Sequence, residues 1–261
     1  MNCLIETALL THGLRSIANE ELAQSWHCPD AILAWVDGGE LKLGPIGEYL
    51  PFRERSEELI RIDCDHLEEA LQTGASGALT ASGTMAVCRR LDIPMAITCG
   101  MGGIGDLRGE ELCPDLPALM NIPVALISTS PKDMLDRPAT LDWLRRHGVH
   151  TAGEPCTGYL FCGKPVALEL PLSSCNNEAA VRRLTANGGL LLLNPIPEKE
   201  RVQDRSILVD AIKAGKQAEA EGHYYHPAAN GEIDRRTDGY SSRIQLESIQ
   251  QNYLLAKSIM D

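Results

Sequence analysis

Lys132 stands in a sequence context that predicts a reactive amine. It follows Ser130-Pro131, and a proline at the first helical position predicts that a helix begins here. The positive end of a helix dipole disfavours a nearby cation, so it would lower the pKa of a lysine. A neutral amine is what a Schiff-base nucleophile requires, which makes Lys132 a candidate nucleophile. The alternative is a solvated lysine without a catalytic role.

Glu6 is a candidate acid because it interrupts an apolar run. Residues 2–10 predict a strand that leads into the turn Thr11-His12-Gly13. A carboxylate inside a buried strand is unfavourable unless it is paired or functional. The alternative is an edge strand in which Glu6 faces water.

Hydroxyl side chains and acids gather around two predicted loops. Thr80, Ser82 and Thr84 open a helix predicted over Thr80–Leu91, where hydroxyls and amides could hold an anion or could simply cap the helix. The loop Gly100-Met-Gly-Gly-Ile-Gly105 lacks the G-x-G-x-x-G register of dinucleotide-binding proteins, so its glycines are expected to let the backbone approach a ligand or a neighbouring chain. The acids after it form either a solvated loop or a site for a hard divalent cation; they are Glu110, Glu111 and Asp115.

The bulk properties exclude several classes of function. A net charge of −12 over 261 residues gives no electrostatic reason to expect nucleic-acid binding. No apolar run approaches the roughly 20 residues of a membrane helix, and no secretion signal begins the chain. The nine cysteines include no Cys-x-x-Cys pair. These features predict a cytoplasmic protein with reduced thiols and no membrane partner.

Short apolar runs alternate with helical patterns along the whole chain. This alternation predicts one α/β domain over residues 1–261, with a largely parallel central sheet flanked by helices. Ligands of such sheets bind beyond the carboxyl ends of the strands, where this chain places its Gly-rich loop and Lys132. Further strands are predicted at 166–172 and 190–197, a loop-rich stretch at 149–163, and a long loop at 222–242 before a final helix.

Three segments carry a family pattern. They are Leu4-Ile5-Glu6-Thr7 with Thr11-His12-Gly13; Gly77-Ala78-x-Thr80 through Thr84-Met85 to Thr98-x-Gly100-x-Gly102-Gly103; and Leu193-Asn194-Pro195-Ile196-Pro197-Glu198. In order and spacing they resemble the pseudouridine-5′-phosphate glycosidase family across roughly residues 3–260. The resemblance implies a cytosolic, metal-dependent α/β enzyme, often a trimer, that interconverts pseudouridine 5′-phosphate with uracil and ribose 5-phosphate.

The resemblance also implies roles for individual residues. Glu6 stands where a general acid opens the ribose ring, and Lys132, in the pattern Lys-x-x-Leu-Asp, stands where a lysine forms an imine with C1 of the opened sugar. Glu111, with Asp115 as a possible second ligand, stands where a divalent ion, typically Mn²⁺, is bound. Arg61 replaces a substrate-contacting lysine. The other substrate-binding residues implied are Thr80, Ala81, Ser82, Thr84, Thr98, Cys113, Pro114, Asp115 and Asn194.

The implied chemistry agrees with the residue types. A C–C glycosidic bond has no leaving heteroatom to protonate, so a carboxylate pair suits it poorly, whereas ring opening and imine formation need an acid and an amine. Several contact positions differ from the family pattern: Arg61 replaces lysine, Cys113 replaces serine, Glu111 replaces aspartate and Arg243 replaces asparagine. Two alternatives therefore stay open, namely a glycosidase or C-glycoside synthase acting on another base, and a non-catalytic ribose-phosphate binding protein.

Overall fold

The short apolar runs form the strands of one large sheet. The structure is a computed structural model that describes residues 2–105, 113–186, 188–222 and 225–260. Within these residues the main sheet has nine strands, in the order β10-β11-β8-β6-β1-β2-β5-β4, with β3 also paired to β2. In chain order the strands are β1 Cys3–Ile5, β2 Leu33–Asp37, β3 Glu40–Gly44, β4 Ile60–Ile62, β5 Gly77–Leu79, β6 Met95–Ile97, β8 Ala125–Ser128, β10 His150–Gly153 and β11 Leu190–Leu193. A separate parallel pair is formed by β7 Gly100–Met101 and β9 Ser130–Pro131.

The sheet is parallel from β10 to β2 and then reverses. Ile5 at the end of β1 pairs with Leu33 at the start of β2, so β2 extends beyond β1. Strand β5 runs back along this extension, antiparallel to β2, and β4 pairs with β5 in parallel. The carboxyl end of β5 therefore returns to the carboxyl end of β1, where the backbone N–H of Thr7 donates to the carbonyl of Leu79.

Helices cover both faces of the sheet because neighbouring strand residues point to opposite sides. Ile97 and Leu192, for example, belong to one buried cluster, and Ala96 and Leu191 to the other. Helices α3 to α6 supply residues to the second cluster, whereas α1, α2 and α7 to α10 supply the first. The helices are α1 Asn19–Ser25, α2 Ile46–Arg53, α3 Leu67–Thr73, α4 Ala81–Arg90, α5 Asp115–Asn121, α6 Arg137–Arg146, α7 Glu178–Thr185, α8 Ser206–Ala220, α9 Tyr225–Arg236 and α10 Tyr240–Met260. The predicted α/β fold with a largely parallel, helix-flanked sheet is confirmed.

Three local predictions were wrong. The stretch 149–163, predicted as loop, contains β10, and 166–172 forms isolated bridges rather than a regular strand. Residues 222–242 hold α9 and the start of α10 instead of a long loop. Pro227 and Gly231 concealed this helix in the sequence, but Pro227 lies in the first turn, where its missing N–H costs little. Close packing against α8, where Gly215 faces the Tyr225 ring, stabilises it.

Helix α10 carries buried polar side chains towards the centre of the sheet. Asn252 donates to the backbone carbonyl of Thr98 over 2.7 Å and to Thr129 Oγ1 over 3.2 Å. Ser248 also bonds Thr129, and Gln245 accepts a hydrogen bond from Tyr159 over 2.9 Å. These contacts fix the segments that follow β6 and β8. Among the helices of the described residues, none combines the length and apolar character needed to cross a bilayer.

A substitution at Gly83 would test the close packing of α4 against β4. A Cβ at this position would lie 2.3 Å from the backbone oxygen of Ile62, which cannot move without distorting the strand. We expect Gly83→Ala to lower the free energy of unfolding by about 2 kcal/mol or more, although alanine is the better helix former. Gly47→Ala is the matched control, because a Cβ added there would meet nothing within 4 Å. Urea denaturation that found both variants as stable as the parent protein would contradict this packing.

Candidate active site

The carboxyl ends of neighbouring strands bring the candidate residues together. Glu6 follows β1 and Thr98 follows β6, and their backbone N–H groups donate to Ile97 and Ile127 of the next strand. Thr80 follows β5, which the reversal of the sheet returns to the same edge. This edge is where ligands bind in open α/β sheets, as the sequence predicted.

Lys132 reaches this edge by a different route from the one predicted. No helix begins at Pro131; Ser130 and Pro131 pair with Gly100 and Met101, and the N–H of Lys132 continues the ladder by donating to the carbonyl of Met101. Helix α6 begins at Arg137, after the capping residue Asp136. The prediction that a helix dipole lowers the pKa of Lys132 is therefore wrong. Any shift in the pKa of Lys132 must come from the groups that surround its side chain.

A small inner chamber and a wide outer cleft meet at Lys132. The inner chamber, of about 50 Å³, is lined by Glu6, Thr98 and Lys132 among others. The outer cleft, of about 780 Å³, lies within the size range of small-molecule sites. Arg61, Thr80, Asp115 and Lys132 line both. Ala81 lines the chamber, whereas the cleft is lined by Ser82, Cys113 and Pro114.

Glu6 is held as a weak acid. Only 6% of its surface is exposed, and this burial raises the pKa of Glu6 to about 7. The hydroxyl of Thr98 donates to Oε1 over 2.6 Å and opposes the rise, as do the charges of Lys132 and Arg61. A carboxyl group with this pKa keeps its proton in a substantial fraction of molecules at neutral pH and can transfer it to a substrate.

Lys132 is shifted towards the neutral amine. Burial is the largest cause of its lowered pKa, and the positive charge of Arg61 is the second. Glu6 and Asp115 act in the opposite direction but do not cancel these effects. The amine–acid pair expected from the sequence is thus present in one chamber, with both groups shifted towards their uncharged forms.

Asp115 lies at the N-terminus of α4, where the sequence allowed two alternatives, a bound anion or simple capping. Its Oδ1 accepts the N–H of Ser82 over 3.1 Å, and its Oδ2 accepts the N–H of Gly102 over 2.8 Å. Thr80 caps the same helix by accepting the N–H of Gly83. Of the two alternatives, capping is the one observed.

The glycine-rich loop accommodates side chains of the chain itself. A Cβ on Gly100 would lie 2.6 Å from the Tyr159 ring, and one on Gly102 would lie 1.9 Å from Cys113 Sγ. At Gly103 it would lie 2.5 Å from Thr140 Oγ1. These glycines make room for tyrosine, cysteine and threonine side chains; Gly100 and Gly102 also line the inner chamber and the outer cleft, so the approach of a ligand to this loop stays a prediction.

Only one of the two predicted metal ligands, Asp115, belongs to the described residues. Glu111 lies outside the described residues, and the residues that are described contain no group of three or more His, Cys, Asp or Glu side chains able to hold a metal ion. Asp115 provides one buried carboxylate whose oxygens each already accept a backbone N–H. The described residues therefore fit one oxygen ligand of a hard cation but not a complete coordination shell.

Two predicted substrate contacts lie apart from these cavities. The Thr84 hydroxyl donates to the carbonyl of Thr80, one turn earlier, and the Asn194 side chain donates to Asn252 Oδ1 over 3.0 Å. In contrast, the sequence analysis did not single out Tyr159, His226 or Asn230, which line the cavities beside Lys132. The i, i+4 spacing of His226 and Asn230 was a usable signal, but it fell in a stretch predicted as loop.

Comparison with known proteins decides the family. The profile described as "Indigoidine synthase A like protein" matches residues 4–260. The chain belongs to this family. Pseudouridine-5′-phosphate glycosidase of Methylobacterium nodulans is 28% identical over 276 residues, covering 98% of this chain and 81% of the relative. That of Petrotoga mobilis is 26% identical over 274 residues, covering 98% and 89%. The predicted pseudouridine-5′-phosphate glycosidase family is thus confirmed.

Two solved structures share the fold of this chain. The Thermotoga maritima indigoidine synthase A-like protein has a TM-score of 0.77 at 19% identity, covering 98% of this chain and 91% of that one. The prealnumycin C-glycosynthase in complex with ribulose 5-phosphate has a TM-score of 0.76 at 22% identity, again covering 98% and 91%. These two structures therefore support the α/β architecture described above.

The buried carboxyl of Glu6 makes stability depend on pH. Because its pKa is higher in the folded chain than in the unfolded one, folding is favoured at low pH and this contribution is lost as pH rises towards 7. A shift from 4.5 to about 7 corresponds to about 3 kcal/mol at pH 8. We expect Glu6→Gln to be more stable than the parent protein at pH 8, with the difference shrinking at pH 5.

Denaturant unfolding at both pH values measures this difference. Glu58→Gln, at an exposed position, is the matched control and should show little pH-dependent change. A Glu6→Gln difference that is the same at pH 5 and pH 8 would mean that Glu6 is not held as a weak acid.

Proposed function

We propose that this protein cleaves or forms the glycosidic bond between a nucleobase and ribose 5-phosphate, with pseudouridine 5′-phosphate as the leading substrate. The observation that carries the proposal is the shared chamber of Glu6 and Lys132, where burial favours a protonated acid beside a neutral amine. Family membership and the names of the relatives support the substrate class. The chemistry is that of a lyase rather than a two-carboxylate hydrolase.

In the proposed mechanism Glu6 and Lys132 act in sequence. Glu6 gives its proton to the ring oxygen of the ribose, which opens the ring. The bond between that oxygen and C1 breaks as electrons of the base form a double bond to C1. The Lys132 nitrogen then adds to C1, which returns those electrons to the base, and loses a proton. Its lone pair finally expels the base carbon, which takes up a proton. The resulting imine is hydrolysed by water to ribose 5-phosphate and free Lys132. Each group must begin in the form that its surroundings favour.

Positive charge near Lys132 suits the phosphate group of the substrate. Arg61 is exposed where the chamber and the cleft meet, and Arg15 lines the neighbouring cavity. In a chain with a net charge of −12, two arginines beside the candidate nucleophile favour an anionic ligand. The prealnumycin C-glycosynthase was solved with ribulose 5-phosphate, which supports a sugar phosphate here.

Trapping with borohydride tests the role of Lys132. We expect protein incubated with ribose 5-phosphate and reduced to gain one sugar-phosphate mass on Lys132, and Lys132→Ala to lose the adduct and at least about 10³-fold of the uracil release. Trapping should weaken at acid pH, where the amine is protonated, and uracil release should weaken above about pH 7, where Glu6 loses its proton.

Two controls sharpen this experiment. Lys199→Ala removes a lysine whose side chain is 83% exposed and should leave the adduct intact. Ribose without phosphate should be trapped much less, and Arg61→Gln should reduce the preference for the phosphorylated sugar. Adduct formation without uracil release would indicate that the protein acts on another base or synthesises a C-glycoside. A folded protein that binds ribose 5-phosphate without forming an adduct would support the non-catalytic alternative.

A divalent cation, Mn²⁺ in the first instance, belongs to the same proposal. Asp115 would supply one carboxylate, with Glu111 as the second protein ligand, and the ion would screen the negative charge of the substrate. We expect removal of metal by a chelator to lower uracil release and Mn²⁺ to restore it. Isothermal titration of Mn²⁺ into Asp115→Asn should show weaker binding than into the parent protein; equal affinity would place the ion elsewhere. The homotrimer stays a prediction, which light scattering would test.

A further inference from the structure

Three buried polar atoms beside Lys132 have no hydrogen-bond partner among the described residues. They are His12 Nε2, Asn230 Oδ1 and His226 Nδ1. All three side chains line one enclosed chamber, of about 30 Å³, together with Arg61 and Lys132. A buried polar atom without a partner costs about 1–3 kcal/mol, so native proteins retain one chiefly where a ligand or water completes it.

The backbone holds these side chains in fixed positions. His12 lies in the π-helical turn Leu9–Gly13, and the guanidinium of Arg53 holds this loop by donating to the carbonyls of Leu10, Leu14 and Ile17. His226 and Asn230 are four residues apart on α9, so they project from the same face of the helix. Arg53 thus holds the loop that carries His12, and α9 sets the spacing of His226 and Asn230.

The protonation states of the two histidines and the acceptor capacity of these atoms decide which ligand groups they can bind. Burial and the charge of Arg61 keep His12 unprotonated by lowering its pKa, and its ring donates to the backbone of Ile60, so the free Nε2 is an acceptor. Asn230 Oδ1 is also an acceptor, and burial together with the charge of Lys132 lowers the pKa of His226 and keeps it neutral. The acceptors on His12 and Asn230 call for a ligand edge that carries N–H or O–H donors, whereas Arg15 and Arg61 of the same chamber suit an anionic group.

The position of the chamber distinguishes the two ends of the substrate. Glu6, which in the proposed mechanism protonates the ring oxygen, lines the inner chamber but not the chamber of His12 and His226. Lys132 and Asn230 line both chambers, so the C1 carbon attached to Lys132 would stand between them, within reach of Asn230. The sugar ring then lies on the Glu6 side, and the substituent of C1, which is the base, lies on the side of the histidines.

The geometry points to His12, His226 and Asn230 as the residues that recognise the leaving nucleobase, through ring N–H groups next to a carbonyl. The Asn230 carboxamide can accept from such an N–H and donate to the adjacent carbonyl, as amide edges pair elsewhere. The chamber admits the edge of the ring, while the rest of the base occupies the outer cleft, which His226 and Pro227 also line. This inference rests on the proposed function, because it assigns the base within the same site.

Substrates methylated on the base test this assignment. In the parent protein, pseudouridine 5′-phosphate should be cleaved at least about tenfold more efficiently, in kcat/KM, than the poorer of its N1- and N3-methylated analogues, because methylation leaves a buried acceptor unpaired. In Asn230→Leu or His226→Leu, kcat/KM for the unmethylated substrate should fall at least about tenfold and the discrimination should shrink below about threefold. In His226→Leu, trapping of ribose 5-phosphate, which has no base, should change less than about threefold, because His226 does not line the chamber of Glu6.

Controls separate a failure of this inference from a failure of the proposed function. Arg235→Gln is the matched control, because Arg235 lies on the same helix with a side chain that is 68% exposed. This variant should preserve the discrimination between methylated and unmethylated substrates. Equal cleavage of methylated and unmethylated substrates by the parent protein, or variants that retain its discrimination, would overturn the base assignment and leave ordered water as the partner of these atoms. Trapping that falls in parallel with cleavage, at an unchanged melting temperature, would overturn it in favour of a sugar contact.

Two further measurements cover other outcomes. If Asn230→Leu fails to fold, His226→Leu and the analogue series on the parent protein decide the question by the same criteria. A parent protein that releases no uracil and forms no adduct would refute the proposed function itself, and the base assignment would fall with it.

Discussion

Glu6 and Lys132 share a chamber that excludes most water, and the rest of the site depends on this desolvation. In water the acid would be an anion and the amine a cation at neutral pH. Burial shifts both towards their neutral forms, which raises the pKa of Glu6 to about 7 and lowers that of Lys132. The same burial that costs folding free energy thus sets the protonation states that ring opening and imine formation need.

The fold supports this costly arrangement from several directions. Thr98 gives Glu6 its hydrogen bond, and the backbone of Thr98 is in turn held by Asn252 of α10. Asp133, beside Lys132, accepts backbone N–H bonds from Tyr159, Leu160 and Phe161, which fixes the turn that carries the amine. Buried polar groups in this region are therefore mostly paired, and this pairing offsets their desolvation.

Because most buried polar groups here are paired, the few unpaired atoms beside Lys132 indicate a place where a ligand binds. Asp115 and Thr80 already satisfy the first turn of α4, so the helix terminus that looked open in the sequence is closed by the chain itself. Within the part of the chain that the structure describes, the acceptors on His12 and Asn230 beside Lys132 have no hydrogen-bond partner. Acceptors that suit the N–H groups of a base and arginines that suit a phosphate would then both line the surroundings of one nucleophile.

The α/β fold, the family and the two residues at the centre of the proposed chemistry could all be predicted from the amino-acid sequence. Apolar runs of strand length between helical patterns predict a parallel sheet, and Glu6, Thr98 and Lys132 all follow such runs, so their meeting at one sheet edge was predictable. The motifs around them were specific enough in order and spacing to identify the family. These features are local, and local patterns can be read without coordinates.

The reactivity of those residues and the identity of their neighbours, by contrast, follow from tertiary contacts. The pKa of Lys132 is lowered by burial and by Arg61, which lies far earlier in the chain, and not by a helix terminus. His226 and Asn230 reach the site because α9 packs on α8, which overrides the weak helix propensity of a segment containing Pro227 and Gly231. Desolvation and long-range packing depend on which distant segments meet, and a single sequence does not encode that in any local pattern.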